Sequence, residues 1–526
     1  MNIRGNLSSF GLLLYRLKKY WTSESKKNSM KPNIPLWNNA ISYIESRFGP
    51  GIACYFGISR WIFMVNLLLT IIWTGLIVVP GILVQDFQLM TANGIGFDKF
   101  IFGEGGYSTS FFFQGIYPTV IGPYKLNLAY LLVSCLFIII TLCGILYRLR
   151  SRLLSPSDLS GKLTEDKSRA FSSAAFSSWD FTIDNAQRKK NHQYAISTMF
   201  LTLITETEMN EEKGQLKVKQ MVFLLLRRFI INIIILGLFG GSGVLIYLSI
   251  LNEQNIHNIS STTNTDPITV FTGTISTIPS VTVIAILDMI MHPIFHFLGK
   301  LEKYYDKKIE AKLLLIRSYV FKLAWMYLIF LSLWKDITNQ QREGKLFCWE
   351  TLVGQKFYQL VLIDIITSCL LGSILPGVMF IITRRSQRFN VPSEILDLIK
   401  RQAILWFGAI YSPILPLYSL IGSFMLFYIK KWTLLTFTEP PRRIYSTYKL
   451  ESYFLTFMML TLVAITGPIA YVLSSMKPSC GPFRNLNYAY EIIPKLISAS
   501  SDQSFISFWN FVGSIGFFLP LFLILS

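Results

Sequence analysis

The chain has 526 residues, 52% of them hydrophobic and only 15% charged, where soluble domains carry about 25% charged residues. Its net charge of +19, from 49 basic and 30 acidic residues, would suit a nucleic-acid binder, but the Lys and Arg lie in short segments between long apolar runs and form no basic, aromatic-bearing face. No Walker or dinucleotide glycine loop, CxxC pair or HExxH stands in the sequence, which sets aside the motif-defined soluble enzymes and leaves no expected metal or organic cofactor.

Residues 1–57 hold eight Lys or Arg and one short apolar patch, Phe10 to Leu14, so no cleavable signal peptide is expected before the first span. Phe10 to Trp21 sorts Leu and Phe from Arg16, Lys18 and Lys19 around a helix. That pattern fits an amphipathic helix on the inner membrane surface or a loosely ordered basic arm. Apolar runs of about 20 residues then predict spans one and two at 58–84 and 127–147, within 58–147. Spans three to six, within 223–383, fall at 223–251, 268–298, 311–334 and 357–383. The intervening 148–222 mixes charge with helically spaced Phe176, Trp179, Phe181, Ile196, Phe200 and Leu203, which predicts cytosolic helices able to receive a partner. The stretch 394–429 opens with Glu394, Asp397, Lys400 and Arg401 and is broken by Pro413 and Pro416; basic segments on both sides of it require two crossings, spans seven and eight, meeting near Ser412 and Pro413. Spans nine and ten follow at 452–474 and 504–526. Span ten runs to Ser526 with no basic anchor, which leaves room for a cytosolic tail beyond it.

Ten spans place 32 Lys and Arg in cytosolic segments and 9 in external ones, with both termini cytosolic. The fold class is therefore an all-α multi-pass membrane protein with ten transmembrane helices and membrane lipids as its surroundings; nucleic acid is not an expected partner. Asn258 begins an Asn-Ile-Ser glycosylation sequon in a loop assigned outside. Cys348 and Cys480 are the cysteines in external segments, where oxidation is permitted; they either pair across two loops or stand as unrelated thiols.

Ionisable side chains at membrane depth are costly and usually face a bundle interior or a water path. Asp288 and Lys322 each lie about ten residues from the cytosolic ends of spans four and five, roughly 15 Å deep at 1.5 Å per residue. They are a candidate ion pair, with snorkelling of the Lys322 stem as the alternative. Asp364 enters span six from the outer side and shares a helical face with Thr367 and Ser368. Such a stripe either replaces part of a cation's hydration shell or holds helices together. Gly372, Pro376 and Gly377 mark span six as a plausible hinge. His292 and His296 stand at metal-ligand spacing, but Pro293 between them and the lack of Cys or acidic neighbours favour capping or interface roles over a metal site.

At 348–364 the chain reads CWETLVGQKFYQLVLID. Cys348, Trp349, Glu350, Thr351, Val353, Gly354 and Gln355 in this string closely resemble the signature of the transmembrane channel-like (TMC) family. Other landmarks follow in family order: FGPGIACYFGISRWIFMVN (48–66), FSSWDF (176–181), LLRRFIINIIILGLFGGSGVLIY (225–247), WFGAIYSPILP (406–416), FYIKKW (427–432) and SCGPF (479–483). The resemblance implies a ten-helix subunit of the anoctamin/OSCA/TMC superfamily fold, assembled as a homodimer with one pore per subunit lined by spans four to seven. It implies a mechanosensitive or background cation channel at the plasma membrane, with the endoplasmic reticulum as the other location. Expected partners are a calcium- and integrin-binding (CIB) protein on 148–222 and the N-terminus, and a small accessory membrane subunit. Carried over by motif, the pore-lining residues are Asp364, Thr367 and Ser368, with Asp288 and Met289 where the family has a Gly-Met pair. Asn390 stands where the family pattern EFDI has its acid, Arg388 where it has its glutamate, and Lys356 where the signature has another glutamate. Cation selectivity is therefore expected to rest on Asp364 with Asp288. A non-channel regulator of transporters and a lipid scramblase are the competing expectations.

Overall fold

The computed structural model describes residues 36–84, 96–103, 105–153, 218–259, 280–302, 307–342, 348–383, 387–439 and 447–498, with a few isolated residues between them. The chain divides into two compact units, Met1–Tyr43 and Ile44–Ser526. The amphipathic Phe10–Trp21 stretch, most of the proposed partner-binding segment 148–222, the loop after Ile259 and span ten lie outside the described residues.

Helices carry nearly all of the described chain. In order they are α1 (Asn38–Phe48), α2 (Pro50–Trp73), α3 (Val79–Val84), α4 (Phe97–Phe102), α5 (Leu126–Leu153), α6 (Val218–Ile259) and α7 (Ser280–Leu301). There follow α8 (Lys307–Arg342), α9 (Trp349–Thr383), α10 (Val391–Gly408), α11 (Leu415–Phe437), α12 (Thr447–Ser475) and α13 (Ile492–Ser498). Among the described residues, eight helical stretches are long and apolar enough to cross a membrane, beginning with Gly51–Leu83, which runs from α2 through a π-helical turn at Thr74–Val78 into α3. The others lie in α5, α6, α7, α8, α9, α11 and α12. The protein is a multi-pass membrane protein. On α6, Phe223, Phe229, Ile233 and Leu236 stand exposed, which water would penalise and lipid would not. Asn258 lies in the last turn of this helix.

The ninth long helix, α10, has a different character. Glu394, Asp397, Lys400 and Arg401 give it too much charge for an ordinary span, yet it is buried on most sides, from Val391 and Ile395 through Leu405 and Trp406. It packs against α9, α12, α8 and α2, and α9 packs along α11. The chain breaks between α10 and α11 at Ala409–Ile414, where Ser412 Oγ donates to the Phe112 carbonyl at 2.8 Å. Asn66 on α2 and Gln402 on α10 exchange amide hydrogen bonds of 3.2 and 2.9 Å inside the core. A two-residue parallel pairing, Gln387–Thr438 and Arg388–Glu439, ties the chain before α10 to the end of α11.

Prolines inside helices explain two further cross-links. Pro376 has no N–H, so the Gly372 carbonyl one turn earlier loses its helical donor; Thr433 Oγ1 of α11 donates to it at 2.9 Å. Pro468 likewise frees the Ala464 carbonyl of α12, and the Tyr327 hydroxyl of α8 donates there. Helix α9 therefore runs continuously through the Gly372, Pro376 and Gly377 segment, with the exposed carbonyl satisfied by its neighbour. Replacing Thr433 by Val or Tyr327 by Phe leaves a carbonyl unpartnered in the bundle; each is expected to lower stability by about 1–3 kcal/mol, read as a reduced unfolding temperature of the detergent-solubilised protein.

Candidate functional site

A cavity of about 440 Å³ opens among α7, α8, α9, α10 and α11. Asp288, Met289, Asp364, Thr367, Ser368 and Asn390, the six residues assigned to a pathway by sequence, all line it. Four acids, Asp288, Asp364, Glu394 and Asp397, and four bases, Lys322, Lys400, Arg401 and Lys430, stand in its wall, so their formal charges cancel.

Those charges are joined in one chain of ion pairs. Lys322 Nζ on α8 reaches Asp397 Oδ1 on α10 at 2.9 Å and Asp288 Oδ1 on α7 at 2.7 Å. Lys400 Nζ on α10 reaches the other Asp288 oxygen at 2.8 Å and Asp364 Oδ1 on α9 at 2.6 Å. Arg401 completes the chain, with Nε 2.8 Å from Asp364 Oδ2 and Nη2 donating to Ser368 Oγ at 2.8 Å. One turn before Asp397, Glu394 pairs with Lys430 of α11 at 2.6 Å. The side chains of Asp288, Lys322 and Lys400 keep 11% of their exposure and Asp364 keeps 9%, so water screens these pairs weakly.

This arrangement bears on three readings of the sequence. The Asp364, Thr367 and Ser368 stripe is not a free carboxylate with two hydroxyls: both Asp364 oxygens are held by Lys400 and Arg401, and Thr367 Oγ1 donates to the Ile363 carbonyl at 2.7 Å. Asp364 and Asp288, read together in the sequence, are joined through Lys400, which touches both. Of the two alternatives for Lys322, the structure has the ion pair with Asp288 and not snorkelling: Lys322 lies between Asp288 and Asp397. Sequence reasoning placed Asp397, Lys400 and Arg401 at a helix entry and missed their role. The signal was their spacing with Glu394, at 394, 397, 400 and 401, which puts them along one side of a helix. His292 also lines the cavity, with Nδ1 3.5 Å from Ser318 Oγ.

The 348–355 signature builds something else, a cap at one end of the bundle. Cys348 and Cys480 are joined by a disulfide across 132 residues. Glu350 accepts from Ser479 N at 2.7 Å, Ser479 Oγ at 2.9 Å and Cys480 N at 3.3 Å, and Trp349 Nε1 donates to the Lys477 carbonyl at 3.2 Å. Gln355 Nε2 donates to the Gly103 carbonyl at 2.8 Å. Gly354 and Gly115 are required by space: a Cβ on Gly354 would stand 2.7 Å from the Tyr411 carbonyl oxygen, and one on Gly115 would strike Thr351 and both disulfide sulfurs. In the 103–125 loop beneath this cap, Tyr117 donates to the Phe111 carbonyl at 2.8 Å, and burial pushes its phenol well above the ordinary range.

Residues 348–447, from the disulfide through α9, α10 and α11, match the TMC domain family. Over those residues the chain is similar to the transmembrane channel-like family. It is 26% identical to the voltage-gated chloride channel TMC4 of Mus musculus over 96% of this chain and 78% of that protein. It is 26% identical to transmembrane channel-like protein 1 of Homo sapiens over 87% of this chain and 67% of that one. Transmembrane channel-like protein 5 of Rattus norvegicus is 24% identical over 96% of this chain, which spans about half (52%) of its length. The chain thus carries the TMC-like signature in a cap and its charged cavity in the helices that follow.

Replacing both Cys348 and Cys480 by Ser is expected to cost about 2–4 kcal/mol of stability, measured by thermal unfolding. Intact mass of the unmodified protein rises by about 2 Da on reduction, since one disulfide takes up two hydrogens.

Proposed function

We propose that this chain is the pore-forming subunit of an ion channel, with the path running through the cavity among α7, α8, α9, α10 and α11. The observation that carries the reading is a cavity enclosed by helices of membrane-spanning length and lined by eight charged side chains. Charges of this number are expensive in lipid and belong where water or ions pass. The cap supports a location with this end in an oxidising compartment, as at the plasma membrane, because a disulfide persists there.

The proposal extends to mechanosensitive or background cation conduction in a homodimer, with a calcium- and integrin-binding protein and a small accessory subunit as partners. Its support is the family resemblance together with Asp288 and Asp364 in the cavity wall. Cations would be favoured when gating draws Lys400 or Arg401 away from those carboxylates. Anion conduction is the second reading, favoured by Lys322, Lys400 and Arg401 in the same wall and by the name of the TMC4 relative.

Reconstitution of the purified chain in liposomes tests these readings together. Stretch-activated or steady current supports the channel, phospholipid movement without current supports a scramblase, and neither supports a regulator. The Asp364→Asn variant removes one negative charge from the cavity; under the cation reading its unitary cation conductance falls several-fold, and currents identical to wild type remove Asp364 from the path.

A further inference from the structure

Resting on the channel reading, we infer that Lys400 sets which sign of ion the pathway prefers. It is the central member of the ion-pair chain, with Asp288 Oδ2 at 2.8 Å on one side and Asp364 Oδ1 at 2.6 Å on the other. Lys322 serves Asp288 and Asp397, and Arg401 serves Asp364 and Ser368. Removing Lys400 therefore splits the chain into two unequal parts. One part is Lys322 between two acids, with a net charge of minus one; the other is the neutral Asp364–Arg401 pair.

The sign of that imbalance reaches any permeating ion. In a cavity of about 440 Å³, an ion lies within a few ångströms of the wall, inside the screening distance of about 8 Å at physiological salt. A wall with one unmatched carboxylate draws cations and repels anions; a wall with one unmatched ammonium does the reverse. Lys400 keeps this choice open because a single flexible ammonium satisfies carboxylates of two different helices, α7 and α9, from a third, α10. Its side-chain position is what separates a charge-balanced wall from one that presents Asp288 and Asp364 to the path. Asn390, which lines the same cavity without charge, adds no acid that would mask the effect.

The test uses the purified full chain in planar bilayers under a KCl gradient, reading the K⁺ to Cl⁻ permeability ratio from the reversal potential. Lys400→Met is expected to raise that ratio about tenfold, the change that 1.4 kcal/mol produces. Asp288→Asn, which leaves the wall one positive charge in excess, moves the ratio the opposite way. The double variant K400M/D288N, with two acids and two bases left in the chain, returns toward the wild-type ratio, and Lys400→Arg retains the wild-type preference. Currents whose ratio is unchanged in both Lys400→Met and Asp288→Asn overturn the role of Lys400 and leave the channel reading standing. No current from any of the five proteins, with helical circular dichroism intact, overturns the channel reading and the assignment to Lys400 with it. Should Lys400→Met fail to accumulate, Asp288→Asn decides alone: a ratio that does not fall toward Cl⁻ overturns the inference.

Discussion

The contact on which the bundle depends is the bridge from Lys400 to Asp288 and Asp364. Asp288 on α7 and Asp364 on α9, with 11% and 9% of their side chains exposed inside helices of membrane-spanning length, would each be costly alone. Removing one partner from a buried pair costs about 3–5 kcal/mol because the survivor keeps its desolvation penalty. Alternation solves the problem: every carboxylate in the chain from Asp397 to Asp364 has bases on either side or at its end, and four helices are held in register to provide them. The position of α10 follows from this. Its apolar residues are buried on most sides, so packing alone would tolerate a slide along the axis, whereas a one-turn shift of about 5.4 Å would carry Asp397 toward Asp364 and Asp288 and set acid against acid.

A second constraint is the obligation to satisfy backbone groups where no water reaches. Pro376 and Pro468 each open one carbonyl, and in both cases a hydroxyl from an adjacent helix closes it. These links tie α9 to α11 and α8 to α12 without charge. They also account for prolines in two long spans without a break in either helix, since the cost of the missing N–H is offset across the interface. The cap works by the same logic with polar side chains: Glu350, Trp349 and Gln355 take up backbone groups of 477–480 and 103 that have no helix to pair with.

Much of this was legible in the residues, and the boundary of what was legible has a physical cause. Hydropathy located the helices that have a lipid-facing side, because α6, α9 and α11 expose apolar rows. It read α10 poorly, since a helix enclosed by protein needs no lipid-facing row and is free to carry four charges. Intramembrane cost singled out Asp288, Lys322 and Asp364, which all line the cavity. Pairing could not be read from cost alone. Asp364 is 36 residues before Lys400 and Asp288 is 112 before it, and no local spacing rule connects positions that distant. The Cys348–Cys480 alternative was also open in the sequence for the same reason; proximity across 132 residues is a property of the fold.

The separation of cap and cavity bears on how a balanced wall could conduct. The disulfide and Glu350 hold the first turn of α9 against the 477–480 loop, and Asp364 lies further along α9 beyond that anchor. There Glu394 and Lys430 join α10 to α11, and the short parallel strands join the segment before α10 to the end of α11. Motion that carries α10 and α11 together relative to α9 would keep the Glu394–Lys430 pair, give up the Thr433–Gly372 bond and strain Lys400 and Arg401 against Asp364. An input favours such a state only by the free energy with which it distinguishes the two arrangements. Exchanging partners within an alternating chain demands far less than leaving a charge bare, because each group finds another of opposite sign nearby. A wall built of interchangeable pairs is therefore compatible with two conformations of similar energy, which a wall of isolated acids would not be.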